Sequence, residues 1–558
     1  MLLNFRRLDS DGAWMRLGVL LLGLWLLVTL VLPLGTLLIK SFEDADGAWV
    51  GLDNYARYVE TPALTESLWN SLWVSSVVAF ITLSLAYVYA YALTRSAMRG
   101  KTVFKALALI PILAPSLLPA ISLIYLFGNQ GLLNSWLMGG TIYGPLGIVI
   151  SQVFYCFPHA LMILLVALSM ADARHYEAAK VLGASPLRTF LTVTLPGSKY
   201  GLISAGFVVF TLAITDFGIA KVIGGRFNVL ATDIFKQVIG QQNFSMGAVV
   251  GFVLLLPAVL AFGADRWVQR RQVALLSGRS VPLVPVRHAT RDWALWVFCV
   301  LVAGMLLVIL GMAVWASLVT RWPYNLNLTW ANYQFSNFDS EGWKAYFNSL
   351  QMAAWTAVIG TLIVFVGAFV LEKTRGFVWL RNTTHLMAML SMAVPGLVLG
   401  LAYIFFFNAP GNPLGFIYGT LVILVINSVA HFYTVSHITA TTALKQLDSE
   451  FESVSASLKV SVGRMFRRVT VPVCLPAVLD ISMYLFVNAM TTVSAVIFLY
   501  GSDTKLAAVS IIHMDEAGFT AAAAAMAVVI VVTSATVKLL HSLLTRQLRK
   551  STQAWRVR

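Results

Sequence analysis

The sequence predicts an all-α polytopic membrane protein with about 12 transmembrane helices, arranged as two parallel six-helix repeats. Three observations carry this reading. The 558 residues are 59% hydrophobic and only 11% charged, with a mean hydropathy of +0.80. Soluble domains carry about 25% charged residues, so a water-soluble or disordered chain is excluded. Apolar runs of bilayer-crossing length, about 20 residues, follow one another through the chain, and landmarks in its first half recur in its second.

In order, the runs fall at 17–39, 68–93, 103–127, 146–170, 202–222 and 247–264, then at 293–319, 348–371, 385–407, 416–438, 477–500 and 518–541. The first follows Arg6, Arg7 and Arg16 and has no small-residue cleavage site behind it, so it reads as a retained span. Charge supports the count. With both termini in the cytoplasm, the cytoplasmic segments hold 31 Lys/Arg against 11 Asp/Glu, and the outer segments together with Asp216 hold 8 against 13. Cytoplasmic loops collect Lys and Arg, so the net +15 reflects topology and requires no nucleic acid. Cys156, Cys299 and Cys474 lie far apart and form neither a disulfide framework nor a metal site.

The repeat rests on three landmarks. Pro119 and Pro395 lie 276 residues apart, as do Pro196 and Pro472, and Asn70-Ser71-Leu72 returns as Asn348-Ser349-Leu350 after 278. Six spans separate equivalent points, so both copies enter the membrane in the same direction, as parallel repeats around an axis along the membrane normal do. The domains are therefore read as a first repeat over 1–264, a basic cytoplasmic linker over 265–292, a second repeat over 293–545 and a basic tail over 546–558.

Between the fourth and fifth spans runs Tyr176-Glu177-Ala178-Ala179-Lys180-Val181-Leu182-Gly183-Ala184-Ser185-Pro186, continuing to Val193-Thr194-Leu195-Pro196. It predicts a short amphipathic helix with a smooth face at Ala178 and Ala179, a turn at Gly183, a second helix from Pro186, and an end at Leu195-Pro196. Glu-Ala-Ala, a Gly six residues after the Glu and an aliphatic-x-Leu-Pro ending resemble the signature of binding-protein-dependent transport permeases, the membrane subunits of type I ABC importers. The resemblance extends to both halves. It implies that Glu177, Ala178, Ala179, Gly183, Leu195 and Pro196 form a coupling element that docks in a groove of an ATP-binding subunit. In the second copy Ser453 replaces the Glu, Glu452 stands one residue earlier, Lys459 replaces the Gly, and Pro472 keeps the ending. That departure predicts two non-equivalent ATPase contacts.

No Gly-x-x-x-x-Gly-Lys-Ser/Thr loop occurs; at the near miss Gly100-Lys101-Thr102, Arg95 stands where the first Gly belongs. No cofactor, metal cluster or catalytic constellation is expected in this chain. The resemblance implies ATP and Mg bound by two copies of a separate ATP-binding subunit, a periplasmic substrate-binding protein as partner, and residence in the bacterial inner membrane.

Polar groups within spans are expensive and usually face protein or a water-filled path. Asp216 is the sharpest, since an acid near a helix centre costs roughly 2.5–3.5 kcal/mol on insertion scales. Either it lines the pathway, with Thr215, or it caps a broken helix or pairs with Lys221 or Arg226. Thr492 is its counterpart in the repeat. Ser151 and Gln152, and Asn427 and Ser428, either line a cavity or bond neighbouring helices, and His159, His431 and His437 lie nearby. For the solute, Thr215-Asp216-Phe217-Gly218-Ile219-Ala220-Lys221 and the segment to Ile234 resemble permeases for 2-aminoethylphosphonate, which is the expected small solute. Ferric iron, thiamine and polyamine are the alternatives. A twelve-helix secondary transporter also has two parallel repeats, but its Gly-x-x-x-Asp-Arg-x-Gly-Arg loop is not present at Arg95–Lys101.

Overall fold

A computed structural model describes residues 10–273, 281, 283–374, 376–447 and 450–552. The predicted linker is described at 265–273, 281 and 283–292 and the tail only to Thr552; Arg6, Arg7 and Arg279 lie outside the described residues.

Among the described residues nine helices are long and apolar enough to cross a membrane: Gly12–Lys40, Pro62–Arg95, Pro145–Ser169, Pro186–Thr215, Phe244–Val268, Ala289–Leu318, Trp343–Lys373, Val462–Thr491 and Thr520–Arg546. Three more spans are bent pairs. Lys101–Leu113 meets Leu117–Phe127 at 100°, Val378–Ala393 meets Gly396–Phe407 at 116°, and Leu421–His431 meets Tyr433–Lys445 at 56°. A small antiparallel hairpin joins Val319–Arg321 to Asn325–Leu328.

With each bent pair counted as one span, the described residues hold the twelve spans that the sequence predicts. A residue before proline is driven out of the helical region by its ring, and Ala114 (ψ 142°) precedes Pro115 while Val394 (ψ 117°) precedes Pro395. Pro119 is not at a break. It sits in the first turn of Leu117–Phe127, where no intrahelical N–H is needed. The fifth and eleventh spans end at Thr215 and Thr491, earlier than their apolar runs predict. Leu195-Pro196 does not end an element either. Pro186–Thr215 is one continuous span, and a wide π turn over Phe190–Thr194 precedes the proline, with Leu195 N–H reaching back to the Phe190 carbonyl. The repeat does the same over Phe466–Thr470 before Pro472. A wide turn accommodates the missing donor and the ring that would break a regular helix.

The chain packs as two units. One holds 10–40, 340–510 and 529–552; the other holds 41–339 and 511–528. Repeats along the sequence and packed units are thus different divisions of the chain. In the first unit Val19, Leu22 and Leu26 of the first span enter a core with Val364, Phe365, Ala368, Ala388 and Tyr433. Trp25 lies 5.5 Å from the Tyr433 ring, and the Tyr403 hydroxyl donates to the Thr29 carbonyl at 2.7 Å, inside a π turn. In the second unit the seventh span packs on the second and third, with Trp296 edge-on to Phe104.

Close approach of the first span depends on glycine. A Cβ on Gly367 would lie 2.9 Å from the Tyr433 hydroxyl and 3.0 Å from Leu22. Gly367→Val is expected to lower stability by about 1–3 kcal/mol, the usual cost of overpacking, read as a fall in the thermal unfolding midpoint of detergent-purified protein. An unchanged midpoint removes this account of the contact.

Candidate functional site

The segment expected to form the first coupling element begins at Asp172, whose side chain accepts from Arg174 N–H at 3.1 Å and caps the helix Ala173–Val181. This bond is the chief cause that holds the half-buried Asp172 carboxyl below its ordinary range. Ala179 is buried and Ala178 exposed, so the expected smooth face is half turned inward. The apolar surface presented to solvent is instead Val181 (87% exposed), Leu182 (83%) and Leu187. Apolar side chains clustered at such exposure mark a contact surface. Sequence reading missed them because the motif leaves their positions, two before Gly183 and one after it, unspecified.

Gly183 has φ +69°, and the helix closes with Leu182 N–H on the Ala178 carbonyl and Ala184 N–H on the Ala179 carbonyl at 2.9 Å. This six-to-one bond across a left-handed residue is the Schellman ending. The second copy repeats it without glycine. Lys459 takes φ +53°, Leu458 N–H reaches Val454 O, and Val460 N–H reaches Ser455 O at 2.9 Å. Leu458 is 70% exposed, at the position equivalent to Leu182. Ser453 is exposed on the helix Glu450–Ser457, which also carries Glu452.

The inner faces of the two elements differ. In the first, the Tyr176 hydroxyl donates to Thr194 Oγ1 at 3.0 Å, and Arg95 lies 5.3 Å from the Tyr176 ring centre. Buried Arg95 also donates to the Leu168 carbonyl at 2.6 Å. One guanidinium therefore joins the ends of spans two and four to the coupling helix. In the second copy Lys373 and Glu452 stand at these two positions.

At membrane depth, the second unit brings two breaks together. Asp216 Oδ2 accepts from Ile219 N–H at 2.9 Å and the Ser116 hydroxyl also bonds this carboxylate, tying the end of span five to the break in span three. Gln152 donates to the Ala213 carbonyl at 3.0 Å, and the Thr215 hydroxyl donates to Thr211 O. Ser151 is buried, and its hydroxyl finds no partner among the described residues. Lys221 pairs with Glu516 rather than with Asp216.

In the first unit Asn427 donates to the Ala495 carbonyl at 2.6 Å, as Gln152 does to Ala213. Thr492 holds nearly the same backbone angles as Asp216, and Ser428 lies 3.9 Å from the Met352 sulfur. Ser391 donates to the carbonyls of Ala430 and His431, and Thr434 donates to Ala388 O while accepting from Met392 N–H. These bonds lace the breaks of spans nine and ten together. His437 stacks on Tyr433 in the core, and Asp480 pairs with His541 at 3.0 Å. Among the described residues no group of three or more His, Cys, Asp or Glu is placed to hold a metal ion.

The Asn-Ser landmark also acquires a job. Ser71 accepts from Leu230 N–H and Ser349 from Ala507 N–H, each at 2.8 Å, while Asn70 and Asn348 donate to carbonyls just ahead of those helices.

The fold is polytopic, and its two repeats carry loops of the same backbone form at equivalent places. The profile described as "Binding-protein-dependent transport system inner membrane component" matches residues 83–274 and 363–550, and the chain belongs to this family. Among its relatives, the ferric transport system permease protein FbpB of Actinobacillus pleuropneumoniae is 30% identical over 76% of this chain and 63% of its own length, so the chain spans less than two thirds of that relative. A second Fe(3+)-transport permease, FbpB 2 of Haemophilus influenzae, is 23% identical over 91% of this chain and 94% of its own. A 2-aminoethylphosphonate permease of Salmonella typhimurium is 24% identical over 44% of this chain and 90% of its own. A solved bacterial ABC transporter involved in alginate import superposes with a TM-score of 0.41 at 16% identity, covering 49% of this chain and 100% of that one.

Two measurements follow. Lys459→Gly is expected to stabilise the protein by up to about 1 kcal/mol, because a side chain in the left-handed region costs about 1–2 kcal/mol and glycine returns part of that as chain entropy; a fall in unfolding midpoint contradicts this. Second, burial and the neighbouring Glu516 push the Asp515 carboxyl up from 3.8 to about 6, although the Thr520 hydroxyl lowers it. A folded acid raised above its unfolded value holds its proton longer, so stability declines as pH rises from about 4 to about 6. Asp515→Asn should flatten the midpoint-against-pH curve in that window, and an unaltered slope would exclude this origin.

Proposed function

We propose that this chain supplies both membrane-spanning halves of an ATP-driven importer in the bacterial inner membrane, with both termini cytoplasmic. Two copies of an ATP-binding subunit, which hold the ATP and Mg, dock on the loops at 173–189 and 450–465. A periplasmic binding protein delivers the solute on the other side. The chain itself is not an enzyme.

The observation that carries this reading is the matched pair of loops. Each is a short helix tipped by an exposed leucine and closed by a left-handed residue, followed within a few residues by a second helix that runs on into a membrane span. A push on Leu182 is delivered along Pro186–Thr215 to Asp216, where Ser116 and Gln152 connect it to spans three and four. Such a lever moves the helix breaks that border a solute path. Coupling then requires the ATP-bound subunits to favour one of two arrangements of these levers.

We assign the path to Asp216, Thr215, Ser151, Gln152, Asn427, Ser428 and Thr492. Ferric iron has the stronger support as solute, because relatives named for it align across both repeats, whereas those named for 2-aminoethylphosphonate align over about half the chain. A carboxylate beside hydroxyls suits a hard cation; the amino group of an aminophosphonate would meet the same carboxylate.

Leu182→Asp and Leu458→Asp together are expected to abolish co-purification of the ATP-binding subunit, and Glu177→Arg to weaken it, each leucine costing about 2 kcal/mol as a buried contact anchor does. Retention unaffected by the double variant, or uptake into vesicles driven by an ion gradient without ATP, overturns the reading. For the solute, radioactive iron uptake should disappear on deletion of the gene while growth on 2-aminoethylphosphonate as sole phosphorus source persists; the reverse result assigns the phosphonate.

A further inference from the structure

Spans two, five and six of the second unit leave a groove of about 660 Å³ between them. Ser76 and Ala79 of span two, Gly206, Phe207 and Phe210 of span five, and Leu260 with Ala261 of span six line it. We propose that this groove binds one acyl chain of an anionic phospholipid, with its headgroup at the end of the groove nearer the coupling loop, beside Lys199 and Arg266.

The lining is small or apolar, and its one hydroxyl, Ser76, already donates to the Leu72 carbonyl at 2.7 Å. None of the ten lining residues carries a buried polar atom without a partner, so the groove makes no demand for a polar solute. Its depth selects hydrocarbon. Ile203 to Phe210 lie past the middle of Pro186–Thr215, and Pro257 lies midway along Phe244–Val268.

The charge lies at one end. Lys199 is exposed and sits four residues before Ile203, on the same face of span five and one turn nearer the coupling loop. Arg266 is half-buried over the Phe262 ring at 5.4 Å, two residues beyond the lining residue Ala264. Asp265, next to Arg266 in the chain, is buried and accepts from the Ser204 hydroxyl, so Lys199 and Arg266 are two cations against one acid here. Trp267, 58% exposed, adds an aromatic ring at the level where such rings border headgroups. Cations beside an apolar slot complement a phosphate attached to an acyl chain. A free anion would have no use for the slot, and a neutral lipid none for the cations.

The test uses native mass spectrometry of the full chain released from nanodiscs of equal phosphatidylglycerol and phosphatidylcholine. Wild type should retain one phosphatidylglycerol preferentially. Lys199→Gln with Arg266→Gln should lower that preference about fivefold per charge removed, the attraction of one Lys or Arg for an anionic lipid surface, while the bound lipid count stays the same. Ala261→Phe should fill the slot and remove the lipid; Leu260→Trp, at a position 72% exposed, does so with less risk to folding. Equal retention by the filled variants, equal affinity for both lipids in wild type, or a co-purifying polypeptide displaced by the filling in place of lipid, would each overturn the proposal. None of these outcomes depends on the solute or on the ATP-binding partner.

Discussion

Hydrocarbon offers no water to a backbone amide or carbonyl, so every interruption of a membrane helix must be answered by a protein group. This constraint organises the protein. The chain breaks its spans at the points where a transporter needs irregular backbone, and at each break a hydroxyl, amide or carboxylate takes the freed groups. Ser391 and Thr434 do so between spans nine and ten, Asn427 and Gln152 after spans eleven and five, and Asp216 with Ser116 at the remaining junction. The polar residues that look costly in the sequence are the ones that make the breaks affordable.

Much of the fold was legible because its signals are local. Apolar runs, the charge of the loops and the proline spacing are each contained in short stretches. The Asn-Ser landmark was visible as a repeat, but its use was not, since the N–H groups it accepts lie about 158 residues away. A further repeat went unnoticed for the same reason. Asn54 bonds the carbonyls of Ser41 and Glu43, and Asn332 those of Ser317 and Val319; Tyr55 and Tyr333 meet the Ser41 and Ser317 hydroxyls. Two-residue Asn-Tyr matches carry too little information to stand out in sequence, yet they clamp the ends of spans one and seven. The breaks were missed because hydropathy reports where a segment lies and not whether it stays straight.

The candidate site was readable where a motif fixed it and unreadable where contact fixed it. Glu177, Gly183 and Pro196 announced a coupling element, and the lysine in the glycine's place left the second element's shape undetermined. The backbone answers that the shape is kept at the cost of local strain. Behind it the residue types differ, since Lys373 and Glu452 stand in the sequence where the first copy has Arg95 and Tyr176.

The grouping of the first span with residues far along the chain has a bearing on biogenesis. Gly12–Lys40 packs against helices that begin only at Trp343. During synthesis it must therefore wait in lipid, alone, while some three hundred residues are made. A helix in that position gains nothing from partners and must be held by its own apolarity. It and Ala289–Leu318, which opens the second repeat, are the two most apolar of the nine unbroken spans. The greasiness of the first span is thus a requirement of the order of assembly as well as of the finished bundle, whereas Ala289–Leu318 emerges after the second and third spans on which it packs.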